Sequence, residues 1–232
     1  MFNEKQKTNN PKLKSKIISF LSAGSQVAFT FLILHFSLSL ALADPDLNTV
    51  LNKLEEKMAP IKTIQTDFIQ EKNLALFSQK LILKGTISIQ KPGMLAWRVL
   101  TPMRYSMVMN GLTISQWDEE TKEVQSISIT KNPSFQAAID QMQNWFSGTY
   151  RSMLGDYKIR IISQKPLSLE FIPNNNAISS NFINRVTITF QDELQYVKNI
   201  FIEEKNGDST LLTFLNSRLN QRISPRAWEV RS

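Results

Sequence analysis

The sequence predicts an α+β domain that is mainly antiparallel β. About eleven short strands should form one curved sheet or incomplete barrel, with a helix in front and a helical insertion over the concave face. Three observations predict it. From residue 63 onward apolar side chains recur at every second position, the period of a half-buried strand. Turn pairs fall between these runs, among them Pro92-Gly93, Asn110-Gly111 and Asn206-Gly207, and such pairs make hairpins rather than crossovers. The helical period appears ahead of the strands and again in their midst, so there is no βαβ rhythm and no parallel sheet.

Residues before 44 read as a leader. Residues 1–16 carry Lys5, Lys7, Lys12, Lys14 and Lys16 against Glu4. An apolar stretch follows, strongest over 27–42, and closes at Ala41-Leu42-Ala43 with Asp44-Pro45 behind it. This basic, apolar, small-residue order is that of a secretory signal peptide, with cleavage expected after Ala43. The alternative is an uncleaved anchor, but a span needs roughly 18–20 apolar residues, and 27–42 supplies 16. With no Cys, there is no lipid-modified cysteine. The expected product, 44–232, is a single exported domain. Five of the 27 basic residues and one of the 20 acids belong to the leader, which leaves 22 against 19 and a net charge of +3. The apparent basicity therefore argues poorly for nucleic acid, and no RNA-binding motif accompanies it.

The single histidine, His35, also lies in the leader. The remaining chain has neither His nor Cys, which removes histidine bases, Ser–His and Cys triads, the usual zinc sites and disulfides. The expectation is no cofactor and no metal.

Taken in order, 46–58 reads as a helix capped by Asp46. Leu47, Val50, Leu51, Leu54 and Met58 lie on one face, and Pro60 stops it. Strands are expected at 63–70, 80–90, 94–101, 104–110, 113–118 and 123–129. Residues 133–146 read as an amphipathic helix bearing Phe135, Ile139, Met142, Trp145 and Phe146 near one face, ended by Gly148. A short helical piece at 150–154 precedes strands at 156–164 and 167–172. A polar loop, 173–181, leads to strands at 184–190, 196–204 and 209–216. The tail from Arg218 shows no regular period.

The heaviest side chains concentrate around Pro92-Gly93 and Pro102. Met94, Met103, Met107 and Met109 are half of the eight methionines, within sixteen residues. Methionine recurs on surfaces that accept variable apolar partners. Leu95, Trp97, Tyr105, Met107 and Met109 on the sheet, and Phe135, Ile139, Met142, Trp145 and Phe146 on the inserted helix, are the candidate walls of an apolar cavity, with the helix as lid. The plain alternative is that all of them pack as ordinary core. Which strand face points inward stays open.

Three stretches carry a resemblance: Phe68-Ile69-Gln70-Glu71-Lys72, then Gly85-Thr86-Ile87-Ser88-Ile89, then Lys91-Pro92-Gly93-Met94-Leu95-Ala96-Trp97 with Pro102 beyond. The chain resembles the LolA-type periplasmic carriers of outer-membrane lipoproteins. That resemblance implies an eleven-stranded half-barrel with a helical lid, a monomer in the periplasm. It would take acyl-chain cargo from an inner-membrane ABC transporter and hand it to an outer-membrane acceptor. The family's latch on the lid backbone is an arginine, and this position is Lys91. Arg98 is the alternative donor. Lysine lacks the planar fork of a guanidinium and holds several carbonyls less well. The run from Tyr105 to Gly111 and the helix after Asn132-Pro133 look closer to LolA-like relatives that work with RND-type exporters and carry lipids other than lipoproteins. An enzyme is the weakest expectation: Asp118, Glu119, Glu120, Asp192, Glu193, Glu203 and Glu204 sit in turns or on solvent faces with nothing to pair them as acid and base. A scaffold with a filled core is the remaining alternative.

Overall fold

Asp46 opens the first helix, α1 (Leu47–Met58), by accepting the Asn48 N–H on its side chain at 3.2 Å. Residues three, four and seven apart share a helix face, and α1 buries Leu51, Leu54 and Met58 on it. The computed structural model describes residues 46–76, 80–129, 139 and 142–231. The leader and Phe135 lie outside the described residues.

Eleven strands follow: β1 (Thr63–Asn73), β2 (Lys80–Gln90), β3 (Met94–Thr101), β4 (Tyr105–Asn110), β5 (Thr113–Asp118), β6 (Val124–Ser128), β7 (Tyr157–Gln164), β8 (Leu167–Pro173), β9 (Ile183–Phe190), β10 (Val197–Glu204) and β11 (Ser209–Leu219). They form one antiparallel sheet in the order β6-β5-β4-β3-β2-β1-β11-β10-β9-β8-β7. Two meanders, β1–β6 and β7–β11, thus meet at the centre, where the first strand pairs with the last. The expected curved antiparallel sheet with a leading helix is the fold observed.

Two strands run longer than their apolar alternation suggests. β1 continues through Glu71, Lys72 and Asn73, which pair with Ile82, Leu81 and Lys80 on one side and Leu211, Thr210 and Ser209 on the other. Lys72 does not end the strand because it is buried with a partner: its ammonium donates to Glu204 at 3.1 Å. β11 reaches Leu219, three residues past the expected end, because Ile64 and Gln65 need partners.

The register settles which face points inward. Ile89, Leu95, Met109 and Ile114 lie in one cross-strand row, and Ile87, Trp97 and Met107 in the next. These rows face the concave side and join the main core. The alternate residues Ala96, Arg98, Ser106 and Val108 face outward, yet Ala96, Ser106 and Val108 are buried. The C-terminal tail covers this side. Thr63 donates its hydroxyl to the Gln221 carbonyl at 2.7 Å, Arg98 Nη2 donates to the carbonyls of Ala227 at 2.8 Å and Glu229 at 2.5 Å, and Ser106 donates to Val230. Arg231 ends the crossing with a 2.9 Å bond to the Lys122 carbonyl. The tail is therefore a strap across the outer face, with a 3-10 turn at Pro225–Trp228.

Candidate functional site

The Lys91-Pro92-Gly93 turn joins β2 to β3 at one end of the concave face. Gly93 adopts φ +78°, a left-handed conformation that costs an L side chain strain. Residues 142–147 are helical and lie opposite, ending at Gly148 with φ +86°. A Cβ at Gly148 would stand 2.6 Å from Met58 Cβ, so glycine lets the end of this segment rest on the last turn of α1. Arg151 fixes the same junction: its Nε lies 3.1 Å from Asn52 Oδ1 and 3.7 Å from Glu55.

Between turn and helix lies a cavity of about 210 Å³. Ile89, Leu95 and Met109 form its sheet wall, Phe146 and Gln143 its helical wall, and Lys91, Met94 and Ser147 its rim. The space is apolar in all but its edge.

Lys91 spans that edge. Its ammonium donates to the carbonyl of Ser147, in the helical segment, at 2.9 Å and to the carbonyl of Met58 at 3.4 Å. Burial holds its pKa below the ordinary lysine range, and the positive charge of Lys62 lowers it further. The same cation thus touches the last turn of α1 and the end of the candidate lid.

The structure divides the expected wall residues into two groups. Leu95, Met109 and Phe146 line the cavity. Tyr105, Ile139 and Trp145 are buried in the core beneath, and Met142 and Met107 pack against it half-exposed. Trp97 faces inward and packs on Phe68 with ring centroids 4.7 Å apart and the planes tilted by 50°. Burial, reinforced by Asp118, pushes the Tyr105 hydroxyl far above its usual range, so it stays neutral. Arg98 is corrected: it lies on the outer face and holds the tail, because it alternates with Trp97 and Val99, which face the core. Ile89, Gln90, Pro92, Gly93, Met94, Gln143 and Ser147 also line the site and were not among the expected residues. Ile89 shares the two-residue period of Ile87 and was legible on that ground. Ser147 contributes a backbone carbonyl, for which sequence carries no signal.

The motif glycine has a geometric reason. A Cβ at Gly85 would come within 1.8 Å of the Arg98 carbonyl oxygen and 2.8 Å of the Phe68 ring. Only glycine lets β3 and Phe68 close on β2 here. The Phe68, Gly85 and Trp97 motif positions are thus one packing unit behind the cavity wall.

A family model described as outer membrane lipoprotein carrier protein LolA matches residues 59–230. The chain belongs to the LolA family. Similar solved structures include a LolA superfamily protein from Nitrosomonas europaea (9% identity, 78% of this chain and 96% of the other, TM-score 0.42). A putative outer membrane lipoprotein-sorting protein domain from Vibrio parahaemolyticus (11%, 77% and 95%, 0.40) and LprF from Mycobacterium bovis (9%, 78% and 96%, 0.42) are further examples. Comparison with curated proteins gives no match. Among the described residues of this LolA family member, no helix is long and apolar enough to cross a membrane.

Proposed function

We propose that this LolA family member is a periplasmic carrier that takes the acyl chains of lipoproteins into the cavity beneath the 142–147 segment. It then shuttles them from an inner-membrane transporter to an outer-membrane acceptor. One observation supports the reading above the others: an apolar cavity whose rim cation, Lys91, reaches the backbone of the helix that covers it. Each acyl methylene buried is worth about 0.8 kcal/mol, so affinity comes from chain length and not from a specific contact. Ligand pockets commonly hold about 300–1,000 Å³, and the cavity is smaller at about 210 Å³. Cargo therefore enters by displacing the helical segment, which breaks the Lys91–Ser147 bond. The closed state competes with cargo, and that competition is what permits release.

Mass spectrometry of organic extracts from protein purified out of its own periplasm tests the reading. Triacylated lipoprotein in the extract, and its transfer from inner-membrane vesicles in the presence of the transporter, are expected. A free lipid or glycolipid as the only cargo would favour work with an RND-type exporter instead. An extract without lipid, and an apolar dye that fails to bind, would leave the filled scaffold.

A further inference from the structure

The arginines of the described fold differ in what they hold, and Arg98 and Arg231 donate to backbone carbonyls of distant elements. Arg151 pairs with Glu55, Arg160 with Glu170, and Arg185 with Glu170 and Glu203. Arg218, Arg222 and Arg226 are exposed and have no hydrogen-bond or ion-pair partner for their guanidinium groups among the described residues. Arg218 is the penultimate residue of β11, and Arg222 and Arg226 lie in the strap that follows it. Residues 218–231 carry four arginines against Glu229 alone.

The strap begins beside the cavity end of the sheet. Lys62 is the junction: its carbonyl accepts the Lys91 N–H at 2.9 Å, and its own N–H donates to Asn220 Oδ1 at 2.7 Å. Lys62 is exposed and adds its charge to that of Arg218 and Arg222. Asp67, two residues along β1 from the Arg218 partner Gln65, accepts from the Asn216 amide at 2.9 Å. From there the strap carries Arg226 and the half-exposed Trp228 over β3.

We infer that this basic strap docks the protein on an anionic lipid surface with the cavity end leading. Positive charge spread along a crossing strap fits a delocalised sheet of phosphates better than a single bound anion. Guanidinium forks match phosphate oxygens, and tryptophan favours the interfacial layer of a bilayer. The inference concerns where the protein rests, and it holds whatever the cavity carries.

The test is cosedimentation of residues 44–232, which contain the whole described fold, with two vesicle types. One is phosphatidylcholine alone, the other contains one part in about three phosphatidylglycerol. Binding is expected to the anionic vesicles only and should fade as salt rises. R218Q/R222Q/R226Q should weaken that binding by about a hundredfold. An equal change of charge at other exposed positions, K158Q/K165Q/K198Q, should leave binding near wild type. Circular dichroism checks that both variants fold. Equal binding to neutral vesicles, equal loss in the two triple variants, or preference of the arginines for soluble polyglutamate over vesicles would each overturn the inference.

Discussion

Lys91→Leu removes one cation and keeps most of the side chain's apolar stem. Two hydrogen bonds go with it, 2.9 Å to the Ser147 carbonyl and 3.4 Å to the Met58 carbonyl. The Met58 carbonyl keeps the Ile61 N–H at 3.1 Å, so the loss falls on the contact with the helical segment. A hydrogen bond from a charged donor is worth about 1.5–3 kcal/mol net. Lys91 is only partly buried, so water screens it and the lower end applies. About 1.5 kcal/mol corresponds to roughly a tenfold change in the open-to-closed ratio. Hydrogen exchange resolves this locally. The amides of 142–147 should exchange about tenfold faster in K91L, while those of β1 and β11 keep their protection. Lys91→Arg, with its planar fork, should slow exchange of the same amides. Unchanged exchange at 142–147, or an equal loss of protection throughout the sheet, would refute Lys91 as a latch.

Trp97→Ala should lower stability by about 2 kcal/mol, below the 3–5 of a fully buried tryptophan because Trp97 is only partly buried against Phe68. If Trp97 also meets cargo, affinity for an apolar dye falls in parallel, measured by titration of the folded variant. Gly85→Ala forces a Cβ to within 1.8 Å of the Arg98 carbonyl oxygen and should cost more than about 3 kcal/mol in urea unfolding. Lys72→Met alone should cost about 3–5 kcal/mol because it strands Glu204, whereas Lys72→Met with Glu204→Leu should be neutral or stabilising. Burial raises the Glu204 carboxyl above its ordinary range despite the pull of Lys72. An acid raised in the fold contributes stability that is present at low pH and is lost as pH climbs through the raised value. Glu204→Gln should therefore flatten the slope of stability against pH across that range, which urea titrations at several pH values will show.

Much of the fold was legible because its signals are local. The alternation of Ile87 with Ile89, the Asn110-Gly111 turn and the α1 stripe each need a few neighbouring residues. The cavity was legible only in part. Leu95, Met109 and Phe146 line it, but Trp97 and Tyr105 have the same apolar bulk and pack elsewhere on the same face. Bulk alone does not say which row a residue occupies; ladder register does, and register depends on distant strands. Arg98 was misplaced for a related reason. Its partner is a chain of carbonyls more than a hundred residues away, in a tail with no period of its own. Glu204 shows the converse, an acid read as turn or solvent face that is buried against Lys72 from across the sheet.

The pairing of β1 with β11 has a bearing on how the chain is made. The central ladder joins residues 64–73 to 209–219. Contacts so far apart in sequence form late and slowly. Until the last strand has been synthesised, β1 keeps one unpaired edge, the Arg98 side chain has no strap to hold, and the second meander has no anchor on the first. By pairing its first strand with its last, this topology withholds the centre of the sheet until both meanders have been made.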